Sequence, residues 1–180
     1  MAIFYKPNRF EILEYDHFWL SDTPNVIGST TWGHSNRRMV TWIRFLDKKT
    51  KREFYFWNTH FDHRVQPARE KAASLVNKKV AELKTELPII LVGDFNASAK
   101  MNKTYDILVD SGGFEDTIVT AKESINADWN TINGFRETRK GSRRIDWVLS
   151  KGGVKTLEAE IVLFDNSKQY PSDHLSLIHI

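Results

Sequence analysis

The most constraining feature of this sequence is a short apolar run that ends in two polar side chains. The run Ile89–Val92 follows Pro88, and Gly-Asp-Phe-Asn follows the run, which places Asp94 and Asn96 after four large aliphatic residues. Such a run predicts a strand that is apolar on both faces. Side chains two residues apart point to the same side of a strand, so Asp94 and Asn96 are expected side by side at its end. A rigid apolar strand is a common foundation for a functional site, although Gly-Asp-x-Asn also suits an ordinary turn.

Length and composition restrict the class of protein. The 180 residues suit one domain over 1–180, or one large part of a bigger domain, and a hydrophobic share of 41% favours a packed core over disorder. The absence of cysteine excludes disulfides, thiolate metal sites and cysteine nucleophiles. A net charge of +3 is compatible with a polyanionic ligand but does not by itself indicate one. No apolar run has the length of a membrane span, and the first residues lack the features of a signal peptide, so no compartment is predicted.

Periodicity predicts an α/β chain whose sheet is largely antiparallel or mixed and is flanked by helices. Alternating residues over 38–46 and 53–60 predict an antiparallel hairpin. Pro67 opens the clearest helix, with apolar residues at helical spacing as far as Leu87. A shorter helix is expected over 103–111, and further strands are expected over 3–5, 10–13, 143–149, 157–164 and 175–180.

Four short polar clusters lie at the ends of expected strands or in the loops that follow them. They are Asn58-Thr59-His60-Phe61-Asp62-His63, Gly93-Asp94-Phe95-Asn96, Arg144-Ile145-Asp146-Trp147 and Ser172-Asp173-His174. Each alone is a weak signal, because an aspartate beside a histidine is usually an ordinary hydrogen-bonded pair. Asp146 is harder to explain in this way, because it lies among apolar residues and an unpaired buried charge is costly. We predict that His174 is its partner and that the carboxylate fixes the tautomer of the imidazole and favours its charged form.

The candidate site residues in these clusters are three carboxylates (Asp94, Asp146 and Asp173), one amide (Asn96) and two histidines (His60 and His174). This set suits phosphoester hydrolysis assisted by a hard divalent cation. Magnesium prefers oxygen ligands and keeps several waters, and histidine and asparagine can stabilise charge on a phosphate. Zinc is less expected, because the spacing fits no zinc motif beyond the isolated pair His60-x-x-His63. The chain contains no Gly-x-Ser-x-Gly nucleophile motif and no P-loop.

Taken in order, the four clusters resemble the motifs of the endonuclease/exonuclease/phosphatase superfamily, over essentially the whole chain. The resemblance implies a two-sheet α/β sandwich of the deoxyribonuclease-like fold. It also implies a metal-dependent phosphodiester hydrolase, nuclease-like in activity, with Mg²⁺ or alternatively Mn²⁺ as cofactor. A phosphatase or a sphingomyelinase-like hydrolase of the same fold is the nearest alternative. An inactive fragment that binds phosphate or nucleic acid is an alternative of another class.

The resemblance also implies a role for each site residue. Asp94 would orient or deprotonate the attacking water, and Asn96 would contact the scissile phosphate. His174, held by Asp146, would bind or protonate the phosphate, and His60 would stabilise the pentacovalent state. The implied metal ligands are Asp173, Asp94 and Asn96. Arg69 and Asp62 are expected as supports of His60. The candidate substrate contacts are Arg37, Arg38, Asn133 and Arg144.

One part of the family pattern has no counterpart in this sequence. The first half of such enzymes normally supplies an asparagine and a metal-binding glutamate in a Gln-Glu motif, and no Gln-Glu dipeptide occurs in the chain. We therefore expect the C-terminal portion of such an enzyme, with weakened metal binding. An exposed sheet edge is also expected, through which copies could self-associate.

The sequence leaves the substrate open. A basic cluster over residues 136–144 could grip a nucleic-acid backbone, could be a solvated loop, or could suit a phosphorylated lipid or inositol head group. Trp129, Asn133 and Phe135 could stack a base or a sugar, or could anchor the loop.

Overall fold

A mixed sheet organises the molecule in a computed structural model that describes residues 1–163 and 169–179. The strands within these residues are β1 (Phe10–Trp19), β2 (Met39–Asp47), β3 (Arg52–His60), β4 (Ile89–Asp94), β5 (Glu115–Asp116), β6 (Glu123–Ile125), β7 (Asp146–Lys151), β8 (Glu158–Ile161) and β9 (Leu177–His179). The helices are α1 (Gln66–Glu82), α2 (Lys103–Asp106), which continues into a π-helical turn (Ile107–Ser111), and α3 (Thr117–Thr120). No helix among the described residues has the length and apolar character needed to cross a bilayer.

The strands form two sheets. The larger has the order β1-β2-β3-β4-β7-β5, in which β3 and β4 are parallel and the other neighbours are antiparallel. The smaller has the order β6-β8-β9, with β6 parallel and β9 antiparallel to β8. The structure is therefore an α/β sandwich with a mixed main sheet, as the sequence predicts.

The predicted hairpin is β2–β3, and its turn is stabilised by a single carboxylate. Asp47 accepts hydrogen bonds from the backbone N–H groups of Lys49 and Thr50, at 2.9 and 3.4 Å. It also accepts one from Arg9 at 3.0 Å. These bonds hold the pairing register in which Val40 lies opposite Thr59, so that the hairpin delivers His60 at the open end of the sheet.

The predicted long helix is α1, which packs on one face of the main sheet. Pro67 lies in its first turn, where a missing N–H costs nothing. Its apolar stripe is buried in the same cluster as the sheet and is made of Ala68, Ala72, Ala73, Val76 and Val80. Leu87, which the spacing includes, lies beyond the end of the helix.

Strand β4 is less symmetrically buried than its sequence predicts. Ile89 and Leu91, on the side of the helix-containing cluster, are 3% and 0% exposed. Ile90 and Val92 alternate with them and are only half-buried. One face of the strand is therefore in the main core, while the other is partly open.

Several expected boundaries are wrong. Residues 3–5 form no strand, because they pair with no strand of the sheet, and Phe4 is fully open to solvent. The strand expected over 10–13 continues to Trp19. The strand expected from residue 143 begins only at Asp146. The strand expected over 157–164 spans only Glu158–Ile161, and the strand expected from residue 175 begins at Leu177. Phe164 and Ile180, the expected ends of these two strands, lie outside the described residues.

Strand β1 is the outer strand of the main sheet and has an irregular register between Ile12 and Glu14. Most of its side chains are exposed. Such an edge can pair with another chain unless charged side chains discourage it. Self-association through β1 remains a prediction.

Candidate active site

Three neighbouring strands place one polar residue each in a single row. In the parallel β3–β4 pair His60 lies opposite Asp94, and in the antiparallel β4–β7 pair Asp94 lies opposite Asp146. The register of the sheet thus brings together residues that are far apart in the sequence. The row lies at the end of the sheet where β3 and β4 finish and β7 begins.

Gly93 allows β4 to approach β3 closely enough for this row to form. Its φ is +151°, and a Cβ atom there would lie 2.0 Å from the carbonyl oxygen of Thr59. A side chain at position 93 would therefore collide with the backbone of β3. Asp94 can therefore lie beside His60 in this register only because residue 93 is glycine.

Asp94 is the centre of the site. Its Oδ2 lies 3.2 Å from Nε2 of His60 and 3.9 Å from Nε2 of His174. The side-chain amide of Asn96 donates to the same oxygen at 3.2 Å, and the backbone N–H of Asn96 donates to Oδ1 at 2.8 Å. Asp94 and Asn96 are thus side by side, as expected, but a turn after the end of β4 brings them together and not the alternation of side chains along a strand.

Burial raises the pKa of Asp94 to about 6, and the nearby Asp146 carboxylate adds to the rise. The N–H of Asn96 and the positive charges of His174 and Arg38 oppose the rise without cancelling it. A carboxylate with a pKa near neutrality can both lose and accept a proton under physiological conditions. This property suits a general base.

Asn96 has a strained backbone and one free side-chain oxygen. Its φ is +50°, an unfavourable left-handed conformation that folded proteins often retain at functional sites. Its Nδ2 donates to the carbonyl oxygen of Phe61 at 3.1 Å and to Asp94. Among the described residues Oδ1 has no hydrogen-bond donor, so it is the atom that can face a ligand.

The predicted pair of Asp146 and His174 is present. Nδ1 of His174 lies 2.8 Å from Oδ2 of Asp146, an arrangement in which the imidazole donates to the carboxylate. This hydrogen bond raises the pKa of His174, and the charges of Asp146, Asp94 and Asp173 act in the same direction. The pair therefore favours an imidazolium whose Nε2 is directed towards Asp94.

The pKa of His60 is shifted in the opposite direction to that of His174. Burial lowers its pKa to about 4, and the charges of Arg38 and His174 add to the effect. The short approach to Asp94 alone would favour an ion pair, but burial and two neighbouring cations favour the neutral ring. The site therefore combines His60, whose neutral form is favoured, with His174, whose charged form is favoured, around the carboxylate of Asp94.

The loop after His60 is held by the expected supports. Asp62 accepts hydrogen bonds from the backbone N–H groups of Arg64 and Val65, both at 2.8 Å. Arg69 donates from α1 to the carbonyl oxygen of Asp62 at 2.8 Å. These contacts place Asp62 and Arg69 in the support of the loop.

The candidate substrate contacts lie in different environments. Nη2 of Arg38 is 3.3 Å from Nδ1 of His63, and Nε is 3.9 Å from Asp62. The side chain is 12% exposed and its charge acts on both His60 and Asp94. Arg37 is exposed and lies against Gly28.

Asn133 belongs to the loop that contacts the segment of His174. Its backbone N–H and that of Gly134 donate to the carbonyl oxygen of Asp173 at 2.8 and 3.0 Å. Its Oδ1 accepts from the N–H of Phe135, whose ring is exposed. Trp129, by contrast, packs against the small cluster around Ile161 and anchors the loop.

Arg144 differs most from its expected role. Its guanidinium is buried and pairs with Asp116, which also accepts a hydrogen bond from the hydroxyl of Tyr105 at 2.8 Å. An arginine enclosed in this way does not present its charge to a substrate, in contrast to the contact expected from the sequence. Its position indicates a structural role.

A metal would find a suitable donor set at this site. Among the described residues, ligand atoms of Asp94, Asp146 and His174 lie within 4.8 Å of one another. Because His174 already donates to Asp146, carboxylate oxygens are the available donors of this group, and Oδ1 of Asn96 adds an amide oxygen. Two carboxylates and one amide oxygen suit a Mg²⁺ ion that keeps several of its waters. Asp173, an expected ligand, is not a member of the group.

Two residues that help to build the site give no signal in the sequence. Asp116 is the partner of Arg144, and Thr131 accepts hydrogen bonds from the N–H groups of Ile145 and Asp146. Their partners lie 14 to 28 positions away along the chain. No local pattern reveals such contacts.

The chain is similar in sequence and in fold to known proteins. A sequence model described as the Endonuclease/Exonuclease/phosphatase family matches residues 1–174. A virus protein, uncharacterized protein L388 of Acanthamoeba polyphaga mimivirus, is 32% identical over 108 residues, which is 56% of this chain. The matched region spans only 38% of the length of that relative.

Solved structures give longer matches. A mannosyl-6-phosphatase of Bacteroides thetaiotaomicron is 31% identical, with a TM-score of 0.86 over 97% of this chain and 69% of the other. An endonuclease/exonuclease/phosphatase of Bacteroides vulgatus is 28% identical, with a TM-score of 0.87 over 97% of this chain and 67% of the other. The match therefore includes nearly all of this chain and about two thirds of each of these structures.

Proposed function

This chain belongs to the endonuclease/exonuclease/phosphatase family, and we propose that it hydrolyses phosphoester bonds with the help of a divalent cation. The observation that supports this proposal is the surroundings of Asp94. The carboxylate of Asp94, with a pKa of about 6, lies between His60, whose pKa is lowered to about 4, and His174, whose pKa is raised by its bond to Asp146. Oδ1 of Asn96 lies beside it. These groups can accept a proton, donate a proton and stabilise charge within one small volume.

Asp94 acts on the attacking water. In its ionised form it orients the water and accepts a proton as the oxygen attacks phosphorus. The breaking P–O bond transfers its electrons to the leaving oxygen, which must then take up a proton.

His174 supplies charge and a proton on the other side of the phosphate. Its Nδ1 is engaged by Asp146, so Nε2–H is the donor available to a phosphate or leaving-group oxygen. His60, Arg38 and the side chain of Asn96 add fixed dipoles and a positive charge where negative charge develops. Because these groups are held by the sheet and by hydrogen bonds, little reorganisation is needed during the reaction.

Asp94 and Asn96 would hold the cation, with the carboxylate of Asp146 close by. When bound, the cation neutralises charge on the phosphate oxygens and lowers the pKa of a bound water.

A phosphorylated carbohydrate is the first candidate substrate class. It is supported by the likeness to a mannosyl-6-phosphatase over nearly the whole chain. A nucleic acid is the second candidate, because the loop beside the site carries four exposed cations. They are Arg136, Arg139, Lys140 and Arg143. Of these, Lys140 is paired with Asp128 at 2.7 Å, so part of the charge is compensated.

A substrate panel would test the proposal. We expect Mg²⁺-dependent phosphate release from mannose 6-phosphate or p-nitrophenyl phosphate, or cleavage of bis(p-nitrophenyl) phosphate, DNA or adenosine-tailed RNA. Chelation, Asp94→Ala and His174→Ala should each abolish the activity. Asp110→Asn, which alters an exposed carboxylate outside the site, should leave it intact. Absence of activity on every substrate with Mg²⁺ and Mn²⁺ would count against the proposal.

Phe135 offers a separate test of the nucleic-acid candidate. Its exposed ring follows the loop contact to Asp173 and can stack on a base. If the substrate is a nucleic acid, Phe135→Ala should raise KM about thirtyfold, the middle of the range for one lost base stack. Phe4→Ala, at another exposed phenylalanine, should leave KM unchanged. An unchanged KM in Phe135→Ala would indicate that no base stacks there.

A further inference from the structure

Thr131 lies between the chain segment that carries Asp146 and the segment that carries His174. It is fully buried, with 0% of its surface exposed. It belongs to no helix or long strand, and it is far from both residues in the sequence. Its contacts nevertheless join the two halves of the Asp146–His174 pair.

On the side of Asp146 the contact is made by the threonine hydroxyl. Oγ1 accepts the backbone N–H of Ile145 at 2.9 Å and that of Asp146 at 3.0 Å. The backbone N–H of Thr131 donates to the carbonyl oxygen of Arg143 at 3.1 Å. The three hydrogen bonds that Thr131 makes thus fix the start of β7, whose first residue is Asp146.

On the side of His174 the contact is made by the backbone. The N–H of Leu175 donates to the carbonyl oxygen of Thr131 at 2.7 Å, and Ile132 and His174 form an antiparallel bridge. The segment that carries the imidazole is therefore attached to the same residue as the segment that carries the carboxylate.

We propose that Thr131 is a positioning residue, whose hydroxyl and backbone together set the placement of Asp146 relative to His174. The catalytic consequence rests on the proposed function. Errors of about 1 Å in the placement of catalytic groups can cost a hundredfold in rate. Removal of groups that orient catalytic side chains typically costs 10- to 100-fold.

The hydroxyl can be removed with almost no change in shape. Thr131→Val leaves the N–H groups of Ile145 and Asp146 without their acceptor, in a place from which water is excluded. Thr131→Ser retains the acceptor and loses only a methyl group. A matched control is Thr117→Val, because the buried hydroxyl of Thr117 donates to the carbonyl oxygen of Val148 on the same strand, at 2.9 Å.

Kinetics on the preferred substrate give the first measurement. We expect kcat to fall roughly 10- to 100-fold in Thr131→Val with little change in KM, and to stay near the wild-type value in Thr131→Ser and Thr117→Val. Thr131→Ala removes the same acceptor from a smaller side chain and serves if the valine variant does not fold. A folded Thr131→Val or Thr131→Ala with wild-type kcat would overturn the proposal, as would an equal loss in Thr117→Val.

A second measurement does not need enzymatic activity. The Nδ1–H proton of His174 that is shared with Asp146 should give a downfield proton NMR signal, which His174→Asn identifies by its absence. The signal should persist in Thr131→Ser and Thr117→Val and should be lost or broadened in Thr131→Val. If it is unchanged in folded Thr131→Val, Thr131 does not position the pair. If the wild type hydrolyses nothing but the signal behaves as expected, the proposed function fails and the positioning role stands.

Discussion

Two charged pairs lie at positions 144 and 146, only two residues apart, and they have opposite properties. Arg144 and Asp116 are 8% and 2% exposed and are closed off by the hydroxyl of Tyr105. Asp146 and His174 are 19% and 24% exposed and face Asp94. The first pair has no route to a substrate, whereas the second borders the candidate active site. Proximity in the sequence therefore says little about which charge is structural and which is functional.

The backbone explains why these neighbours diverge. In a regular strand, side chains two residues apart point to the same side, so Arg144 would accompany Asp146 towards the site. The strand begins only at Asp146, however. The carbonyl oxygen of Arg144 accepts hydrogen bonds from the N–H of Ala99 and the indole N–H of Trp147, both at 3.0 Å. This irregular turn directs the guanidinium of Arg144 into the core and leaves Asp146 partly exposed at the candidate active site.

The largest expected effect on activity comes from a change in the pair of Asp146 and His174. Asp146→Asn should lower kcat about 10²- to 10⁴-fold, the usual loss when an acid–base group is disabled, while chemical denaturation shows a nearly unchanged free energy of unfolding. The amide has almost the same shape but no longer stabilises the imidazolium. A loss of stability that matches the loss of activity would instead make this pair structural, like its neighbour.

The next effect is on stability at the buried pair. Arg144→Met should lower the free energy of unfolding by about 3–5 kcal/mol, because the carboxyl group of Asp116 would be left buried without its partner. The value of kcat of the folded fraction should be preserved. Arg143→Met, at an exposed position, should change stability by no more than about 0.5 kcal/mol. A stable Arg144→Met with impaired substrate binding would restore the substrate contact expected from the sequence.

The pH dependence of the reaction would sharpen the distinction. Asp94 must be ionised, so kcat/KM should rise with pH through about 6. His174 must be protonated, and its hydrogen bond to Asp146 raises its pKa above the ordinary value for histidine, so the rate should fall again at higher pH. The residual activity of Asp146→Asn should show this alkaline limb at lower pH, because the stabilising carboxylate is gone. In Arg144→Met neither limb should move.

The smallest effect on stability is expected at the hydroxyl of Tyr105, which donates a hydrogen bond to Asp116 in the buried pair. Tyr105→Phe removes one hydrogen bond to Asp116 and should cost about 1–2 kcal/mol of stability, with kcat unchanged. Tyr15→Phe, at an exposed tyrosine of β1, should have no effect on either. A change in kcat in Tyr105→Phe would show that the two pairs are coupled through β7.

Local patterns in the sequence predict much of this structure. The alternation in β2 and β3, the helical spacing in α1 and the apolar run of β4 each lead to the observed element. The pairing of Asp146 with His174 follows from the cost of an unpaired carboxylate among apolar neighbours. The alternation of strands and the spacing of helices repeat every two or every three to four residues, so they can be detected without knowledge of the fold.

Other features escape prediction because they depend on contacts between distant segments. Residues 3–5 have the composition of a strand but no strand beside them. Arg144 carries the same charge as the exposed cations of its loop, and only Asp116 distinguishes it from them. The role of Thr131 depends on two segments that meet only in the folded chain.

The sequence by itself determined the principal elements (the β2–β3 hairpin, α1 and β4) and the chemical types of the site residues, because strand and helix periodicity and the placement of charges near strand ends are local properties of the chain. The tertiary structure alone decided the row of His60, Asp94 and Asp146, the pKa shifts of His60 and Asp94, and the separation of structural from functional charges. These depend on sheet register, burial and the distances between charges, which arise only when distant segments pack together.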